Sequence, residues 1–426
     1  MSDKERLIVK KSGPLKGKVK ISGAKNSALP ILAASLLGTE EIILEEVPNL
    51  KDVEIMISIL KNLGAKVEYI DKSTLRIDSG NVNSFQPPFE LMDKMRASFV
   101  VMGPLLSRFG SAVTKAPGGC NIGERPIDLH LKGFDALGAK TNIDFDEISA
   151  ISENGLKGSN IYLDFPSVGA TENLMMAATL AKGETIIENA AKEPEIVDLS
   201  NFLNKMGAKI KGAGTSSIII NGVEKLTGTT HTIVPDRIEA ATYMLAAAIT
   251  KGEVRVENVI ASHIRPVIAK LIESGCIVKE LEDDDVIIVK ANKRLKGTSI
   301  KTLPYPGFPT DAQSQFMALM TVCEGESHVK ETVFENRYMH VAELKKMGAS
   351  IITEGNEAAI MGVEKLKGAD VEATDLRAGA ALILAGLVAE GETRISNVYH
   401  ILRGYSDLIE KFKGLGANLE FKKIEK

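Results

Sequence analysis

The segment VEIMISILKNLGAKVEY, residues 53–69, decides the fold, because its second half recurs along the whole chain. Its apolar residues fall at helical spacing, and Gly64 stands where the C-terminal cap of a helix is expected. The related phrases are ALGAKTNI, KMGAKIKG, ESGCIVKE, KMGASIIT and GLGANLEF, with Gly138, Gly207, Gly275, Gly348 and Gly416. Successive glycines lie 68 to 74 residues apart. Six copies of one supersecondary unit therefore account for almost the entire sequence.

A second glycine precedes each phrase by about 25 residues and also marks the end of a helix. These glycines are Gly38, Gly110, Gly183, Gly252, Gly325 and Gly391. The segments that follow, such as GETIIENAA and GEVRVENVI, alternate with a period of two, which predicts a strand with one buried face. Each unit is therefore predicted to run strand, helix, strand, helix, strand, strand.

One helix of each predicted unit is apolar nearly all round, as in IEAATYMLAAAITKG, and helices of that kind are buried. The other helix is amphipathic and should cover the outside. Parallel strands joined by helices exclude an all-β sandwich, and the long period excludes short-repeat solenoids. We predict an inside-out α/β fold in which sheets surround buried helices. Because 426 residues exceed the roughly 250 to 300 that one core supports, the six units should form two domains of three.

Composition argues against several classes of protein. The 44% apolar and 25% charged residues are ordinary for a globular protein, and no run is apolar enough to span a bilayer. A net charge of -4 without a basic block, 5% aromatic residues and no Trp argue against nucleic-acid binding. The charged start MSDKERLIVKK predicts no export, and hence a cytoplasmic protein. Three cysteines without metal-ligand spacing predict free thiols and no zinc site.

The loop KAPGGCNIGERPIDLH, residues 115–130, is the most specific local motif. Two glycines precede Cys120, and the basic residues Lys115 and Arg125 flank it, which favours a reactive thiolate. A cysteine taken at random is more often a small buried residue, but this polar, glycine-rich setting is typical of a surface lid. Cys276 and Cys323 lie within helical patterns and are predicted to be structural.

Charged and small residues open several of the apolar helices. Lys25 and Asn26 begin the first, where free N–H groups and the helix dipole favour a phosphate or carboxylate. Simple capping by Asn26 or Ser27 is the alternative. Arg96 begins another helix, and a third is opened by Ser167, Gly169 and Thr171.

Asp311 opens the fifth buried helix, and a capping role is its ordinary alternative. Further ionisable residues stand at matching places in later repeats, and surface ion pairs would be their usual fate. They are Arg337, Asp375, Arg377 and Arg403. Because Arg binds carboxylate and phosphate in bidentate fashion, the set predicts a crevice for an anionic ligand.

Eight motifs spread along the chain carry a resemblance to a known family: GAKNSALP, MRASFVVMGPLLSRFG, PGGCNIGERPIDLHLKGFDALGA, SVGAT, FPTDAQSQF, TVFENRYMHV, ATDLRAGAALILAG and YHILRGY. They resemble enolpyruvyl transferases whose acceptor is UDP-N-acetylglucosamine. The resemblance covers essentially the whole chain. It implies one domain over residues 22–234, a second formed by residues 1–21 plus 235–426, and an active site in the cleft between them.

The resemblance also implies roles at individual positions. Cys120 would protonate phosphoenolpyruvate or form an adduct with it, and Asp311 would act as base. Phosphoenolpyruvate contacts would come from Lys25, Asn26, Arg125 and Arg403. The UDP-sugar would be held by Arg96, Arg125, Pro126, Ile127, Asp128, Leu129, Ser167, Val168, Gly169, Asp311 and Val333. Further active-site positions would be Arg337, Asp375 and Arg377.

The implied reaction transfers the enolpyruvyl group with release of phosphate, as the first committed step of peptidoglycan precursor synthesis. The implied partners are phosphoenolpyruvate and UDP-N-acetylglucosamine, without a metal, an organic cofactor, nucleic acid or a membrane, and a monomer is expected. Two alternatives stay open. The acceptor could be shikimate 3-phosphate, or the chain could be an idle paralogue that binds the UDP-sugar without turnover.

Overall fold

The computed structural model describes residues 5–115, 127–281 and 285–423. The strands of these residues are β1 (Glu5–Lys10), β2 (Lys16–Lys20), β3 (Ile42–Glu45), β4 (Lys66–Tyr69), β5 (Leu75–Asp78), β6 (Ser111–Lys115), β7 (Lys140–Asp144), β8 (Glu147–Ile151), β9 (Asn160–Tyr162), β10 (Glu184–Glu188), β11 (Lys209–Lys211), β12 (Ser217–Asn221), β13 (Thr230–Thr232), β14 (Glu253–Glu257), β15 (Ile277–Leu281), β16 (Val286–Lys290), β17 (Ser299–Lys301), β18 (Glu326–Lys330), β19 (Ser350–Glu354), β20 (Glu357–Met361), β21 (Asp370–Glu372), β22 (Glu392–Ser396) and β23 (Asn418–Lys423).

The α-helices of the same ranges are α1 (Lys25–Ala34), α2 (Lys51–Leu63), α3 (Phe89–Met92), α4 (Met102–Phe109), α5 (Asp128–Ala136), α6 (Val168–Ala178), α7 (Pro194–Lys205), α8 (Arg237–Ile249), α9 (Arg265–Glu273), α10 (Gln313–Met320), α11 (His340–Lys346), α12 (Leu376–Gly386), α13 (Tyr399–Leu402) and α14 (Leu408–Gly414). Short 3-10 helices cover Ser35–Leu37, Arg96–Val101, Ala261–Ile264 and Thr310–Ala312. None of these helices combines the length and apolar character needed to cross a membrane.

The chain folds into two compact units. The discontinuous unit contains residues 5–22, 235–281 and 285–423. The continuous unit contains residues 23–115 and 127–234. Each unit has its own hydrophobic core and three sheets. The predicted α/β fold class is therefore confirmed.

The continuous unit shows the predicted repeat most completely in its third copy. There β9, α6, β10, α7, β11 and β12 follow one another, and the sheet order is β11-β12-β10-β9. β9 and β10 are parallel because α6 crosses between them, and β10 and β12 are antiparallel. The second copy has the three-stranded sheet β6-β8-β7, so its described residues lack the predicted leading strand.

The leading strand of the first copy also differs from the prediction. In the sheet β13-β3-β5-β4, the strand parallel to β3 is β13, from the far end of the continuous unit. A repeat that needs a parallel edge strand can take it from any segment that reaches the edge, and a local pattern does not reveal which one.

The N-terminal segment completes two sheets of the discontinuous unit. β2 lies parallel to β14, with Gly17 opposite Val254. β1 lies antiparallel between β22 and β23, with Val9 opposite both Thr393 and Leu419. The three sheets are ordered β15-β16-β14-β2, β17-β18-β20-β19 and β21-β22-β1-β23.

The apolar helices are buried, as predicted from their composition. Every residue of α8 from Ile238 to Ile249 is buried, and α8, α10 and α12 pack against one another inside the discontinuous unit. In the continuous unit, α4 packs against α6, and both α1 and α6 contact the 3-10 helix Arg96–Val101. The other helices bury one face only, as α2 does with Val53, Met56 and Leu60. Sheets therefore lie outside the buried helices in each unit.

The six glycines of the repeated phrase all adopt the left-handed backbone conformation, with φ between 88° and 110°. Residues with a Cβ rarely adopt it, so glycine ends the amphipathic helix in every copy. Gly252, from the second series, serves a different purpose. Lys251 takes the positive φ there, whereas a Cβ on Gly252 would lie 2.2 Å from the Leu15 carbonyl oxygen.

Candidate active site

A cluster of charged side chains in the discontinuous unit centres on Asp311. Arg337 Nη2 donates to Asp311 Oδ1 at 2.9 Å, and Arg377 Nη2 donates to Asp311 Oδ2 at 3.2 Å. Both arginine side chains are only 3% exposed, whereas that of Asp311 is 29% exposed. The carboxylate is thus held from its buried side and stays open to solvent. The capping role considered for Asp311 is wrong, because the N-cap residue of the buried helix α10 is Ala312.

Each of the two arginines of this cluster has N–H donors without a hydrogen-bond partner among the described residues. Arg337 Nε and Arg377 Nε and Nη1 are buried and have no hydrogen-bond partner among the described residues. Burial by itself lowers the pKa of Arg377, but the Asp311 carboxylate outweighs burial and raises it. The surface ion pairs considered for these arginines are therefore wrong. A buried, permanently charged guanidinium with unused donors is suited to an anionic substrate.

Asp375 orients Arg377 through the backbone. Its carboxylate caps α12 by accepting from the N–H groups of Arg377 at 2.8 Å and Ala378 at 3.0 Å. Asp375 is buried, so it too is no surface ion-pair residue. The cap fixes where α12 begins, and the Arg377 side chain leaves the helix one residue later.

A network of buried polar side chains supports the same cluster. The Tyr405 hydroxyl lies 2.9 Å from Thr242 Oγ1 and 3.2 Å from Gln315 Nε2. Gln315 Nε2 also donates to the Asp311 backbone carbonyl at 2.9 Å, and the Arg377 guanidinium lies 5.6 Å from the centre of the Tyr405 ring. Tyr405 therefore positions both Asp311 and Arg377.

Arg403 lies at the C-terminal end of α13. Burial, and then the positive charge of Arg403, lower the pKa of His400, while Asp375 opposes them. Arg403 and Asp375 therefore both lie close enough to His400 to influence its charge. Val333 is held in a turn by its N–H, which donates to Glu331 Oε1 at 2.8 Å.

In the continuous unit, Lys25 opens α1 and lies 3.4 Å from Asp52 Oδ2 on α2. The Lys25 side chain is 13% exposed and that of Asp52 is 2% exposed. The capping alternative for Asn26 or Ser27 is wrong, because the N-cap residue is Ala24. Ser27 instead donates to Asp198, whose other oxygen lies 2.8 Å from His231 Nε2. The buried Asp52 carboxylate therefore holds the Lys25 ammonium group at the start of α1.

A second cluster of the continuous unit lies at the start of α6. Ser167 caps this helix by accepting from the Ala170 N–H at 3.3 Å, and Val168 and Gly169 form its first turn. His130 of α5 faces this turn, since a Cβ on Gly169 would lie 3.5 Å from His130 Nε2. Burial, and then the nearby charge of Arg96, lower the pKa of His130 to about 3. Arg96, His130 and the start of α6 are therefore neighbours.

Asp128 and Leu129 form the first turn of α5, after the N-cap residue Ile127. Cys120, Arg125 and Pro126 lie outside the described residues. Lys115, expected to favour the Cys120 thiolate, makes ion pairs with Asp93 at 3.0 Å and Asp146 at 3.2 Å. These hydrogen bonds raise the pKa of Lys115. Its charge is therefore shared with two carboxylates.

Cys276 and Cys323 are buried free thiols, which confirms their structural role. Burial raises the pKa of each to about 12, so neither is a nucleophile at neutral pH. Within the described ranges, no group of three or more His, Cys, Asp or Glu side chains is arranged to hold a metal ion.

The sequence did not predict five residues that position the site: Asp52, Gln315, Tyr405, His130 and Asn173, whose amide lies 3.0 Å from His130 Nδ1. Three of them had a usable signal. His130 directly follows the predicted stretch that ends at Leu129, Tyr405 lies two residues after Arg403 in the motif YHILRGY, and Gln315 lies four residues after Asp311 in the motif FPTDAQSQF. Asp52 and Asn173 act through contacts distant in sequence and carry no local pattern.

Comparison with known proteins matches residues 9–412 to the family model described as EPSP synthase (3-phosphoshikimate 1-carboxyvinyltransferase). A UDP-N-acetylglucosamine 1-carboxyvinyltransferase of Finegoldia magna is 68% identical over 99% of this chain and 100% of its own. A UDP-N-acetylglucosamine 1-carboxyvinyltransferase 1 of Caldanaerobacter subterraneus is 59% identical over 98% of this chain and 99% of its own.

Among solved structures, the enolpyruvyl transferase NikO from Streptomyces tendae has a TM-score of 0.88 at 23% identity and covers 99% of both chains. An EPSP synthase from Acinetobacter baumannii has a TM-score of 0.77 at 18% identity and covers 99% of this chain and 100% of its own. At these identities the likeness establishes the fold alone.

Proposed function

The chain belongs to the EPSP synthase family of enolpyruvyl transferases, and we propose that it transfers the enolpyruvyl group of phosphoenolpyruvate to the 3-hydroxyl of UDP-N-acetylglucosamine, with release of phosphate. One observation carries the proposal: 68% identity over essentially the full length of a protein named for this activity. In a bacterium this would be the first committed step of peptidoglycan precursor synthesis. The reaction takes place on soluble substrates, which fits a cytoplasmic location.

The chemistry is an addition followed by an elimination. An acid gives a proton to C3 of phosphoenolpyruvate, which makes C2 electrophilic, and a base takes the proton of the sugar hydroxyl as its oxygen bonds to C2. Loss of a proton from C3 and of phosphate from C2 then leaves the enol ether. We assign the acid to Cys120 and the base to Asp311. Each step of acid or base catalysis contributes about 10²- to 10⁴-fold to the rate.

The Asp311 cluster supports this assignment in one respect and adds a condition in another. The carboxylate has an open side from which it can reach a hydroxyl, since its side chain is 29% exposed. Both of its oxygens, however, accept from buried arginines, which stabilise the charged carboxylate and weaken it as a base. We infer that an anionic substrate group must engage Arg337 or Arg377 before Asp311 removes a proton.

The remaining cations bind and stabilise the substrate anions. Lys25, Arg125 and Arg403 would hold the carboxylate and phosphate of phosphoenolpyruvate, with Asn26 as a neutral donor. The start of α6 and that of α5 would bind the UDP-sugar, with Ser167 as the N-cap residue of α6 and Asp128 in the first turn of α5. These residues divide between the two units, and their meeting in one site stays a prediction, as do the domain boundaries and the monomeric state.

The experiment that tests the proposal compares acceptors. The protein is incubated with phosphoenolpyruvate and either UDP-N-acetylglucosamine, shikimate 3-phosphate or no acceptor, and the products are identified by mass spectrometry. We expect the enol ether of UDP-N-acetylglucosamine alone. Formation of the shikimate product would keep the fold and overturn the substrate. Binding of the UDP-sugar without any product would indicate an idle paralogue.

A further inference from the structure

Glu331 directly follows β18 and is a buried carboxylate that accepts hydrogen bonds on both of its oxygens. Oε1 accepts from Thr302 Oγ1 at 2.7 Å, from the Val333 N–H at 2.8 Å and from the Phe334 N–H at 3.3 Å. Oε2 accepts from Thr310 Oγ1 at 3.0 Å. A buried carboxylate needs such donors to replace its lost hydration. Donors from three separate segments of the chain therefore converge on one side chain.

The Oε2 atom of Glu331 holds the segment that carries Asp311. Thr310 and Asp311 are the first two residues of the 3-10 helix Thr310–Ala312. On the other side, Gln315 Nε2 donates to the Asp311 backbone carbonyl at 2.9 Å. The Asp311 backbone is therefore fixed by one hydrogen bond just before it and by another on its own carbonyl oxygen.

The Oε1 atom of Glu331 reaches Asp311 by a second route. It accepts from the Phe334 N–H, and the Phe334 ring lies against Arg337, whose guanidinium carbon is 5.6 Å from the ring centre. Arg337 Nη2 in turn donates to Asp311 Oδ1 at 2.9 Å. The contacts form a closed circuit, in which Glu331 supports both the Asp311 backbone, through Thr310, and the Asp311 carboxylate, through Phe334 and Arg337.

We propose that Glu331 is a positioning residue that sets the base, Asp311, at a fixed distance from the turn at Val333, which binds the acceptor. This rests on the proposed function, since that function assigns the base to Asp311 and a UDP-sugar contact to Val333. The two oxygens of one carboxylate hold both segments, so a single side chain sets their separation. Proton transfer requires the base within about 2.6–3.2 Å of the hydroxyl oxygen, so a small displacement of Asp311 lowers the rate.

The test separates turnover from acceptor affinity. We measure kcat and the KM for UDP-N-acetylglucosamine, at saturating phosphoenolpyruvate, on wild type and three variants. Thr310→Val removes the hydroxyl bonded to Oε2 and leaves the Val333 turn in place. We expect kcat to fall by about 10-fold at an unchanged KM.

Two substitutions of Glu331 itself complete the series. Glu331→Ala also releases the Val333 turn, so we expect kcat to fall by about 10- to 100-fold and the KM to rise. Glu331→Gln keeps an oxygen for the Val333 and Phe334 N–H groups, and its amide can donate to Thr310 Oγ1. It should therefore recover most of both losses.

The matched control is Glu343→Ala. Glu343 is a buried carboxylate of the same unit whose Oε2 accepts from the Glu372 N–H at 2.9 Å. This variant should lose stability in urea denaturation but keep the kcat and KM of wild type. A wild-type kcat in Thr310→Val, or a loss of kcat in Glu343→Ala as large as that in Glu331→Ala, would overturn the role of Glu331 and leave the proposed function intact. Absence of product from wild type with UDP-N-acetylglucosamine would instead overturn the proposed function, and the role of Glu331 with it.

Discussion

The cluster around Asp311 and the cluster at the start of α6 differ in how they hold charge. In the first, a partly exposed carboxylate is pinned by two buried arginines. In the second, a neutral histidine is oriented by an amide beside the end of a helix. Fixed charges can promote proton transfer and stabilise a departing anion. Neutral hydrogen-bond donors in fixed orientations instead select a ligand by its shape, and burying them costs little electrostatic energy. We therefore expect the discontinuous unit to supply the base, Asp311, and the continuous unit to bind the nucleotide.

The largest effect is expected for Asp311→Asn. We expect turnover to fall by about 10²- to 10⁴-fold, because the amide has no basic oxygen pair with which to accept the hydroxyl proton. Affinity for UDP-N-acetylglucosamine should change little. Steady-state rates and a direct titration on the same preparation measure both quantities. A loss of affinity at unchanged turnover would make Asp311 a binding residue.

A smaller effect is expected when the Tyr405 hydroxyl is removed. Tyr405→Phe removes a hydroxyl that is bonded to Thr242 and Gln315, so we expect the free energy of unfolding to fall by about 1–2 kcal/mol. Turnover should also fall, because Gln315, which donates to the Asp311 backbone carbonyl, loses its hydrogen bond to Tyr405. The matched control is Tyr243→Phe, because the buried Tyr243 hydroxyl has no hydrogen-bond partner among the described residues.

Tyr243→Phe should be neutral or stabilising, since it removes a buried group that gains nothing from its surroundings. Urea denaturation of the two variants in parallel gives the comparison. Equal destabilisation by both substitutions would show that ring packing, and not the hydroxyl network, accounts for the effect at Tyr405.

The smallest expected effect concerns pH and involves one histidine in each unit. Burial, with Arg96 for His130, lowers the pKa of His130 to about 3 and that of His340 to about 4, from an ordinary 6.5. Between about pH 4 and 6.5 the unfolded chain therefore binds more protons than the folded one. The free energy of unfolding should rise with pH across this window and gain nothing further from these groups above it.

Denaturation at several pH values, compared between wild type and His340→Gln, measures this contribution. Below pH 6.5 the free energy of unfolding of the variant should rise less steeply with pH. The variant lacks an imidazole that, in this pH range, is neutral in the folded chain and protonated in the unfolded chain. An unchanged slope would mean that His340 titrates normally in the folded protein.

The fold was largely predictable, and the site only in part. The six helix-ending glycines and the buried apolar helices follow from local patterns, which survive folding because they depend on neighbours in sequence. β13 completing the first sheet could not be predicted in the same way. The charged site residues were recognisable in the sequence as charged residue types at the starts of predicted helices. Their partners were not, since Asn173 is 43 residues from His130 and Tyr405 is 163 residues from Thr242.

The most direct test of the central claim is phosphate release from phosphoenolpyruvate, with and without UDP-N-acetylglucosamine, on wild type and Cys120→Ser. Thiol labelling supplies a check on the variant, because Cys276 and Cys323 are buried and should label only after unfolding. We predict release that requires the UDP-sugar in wild type and collapses in Cys120→Ser. Release that proceeds without the UDP-sugar, or that is undiminished in the variant, would contradict the account.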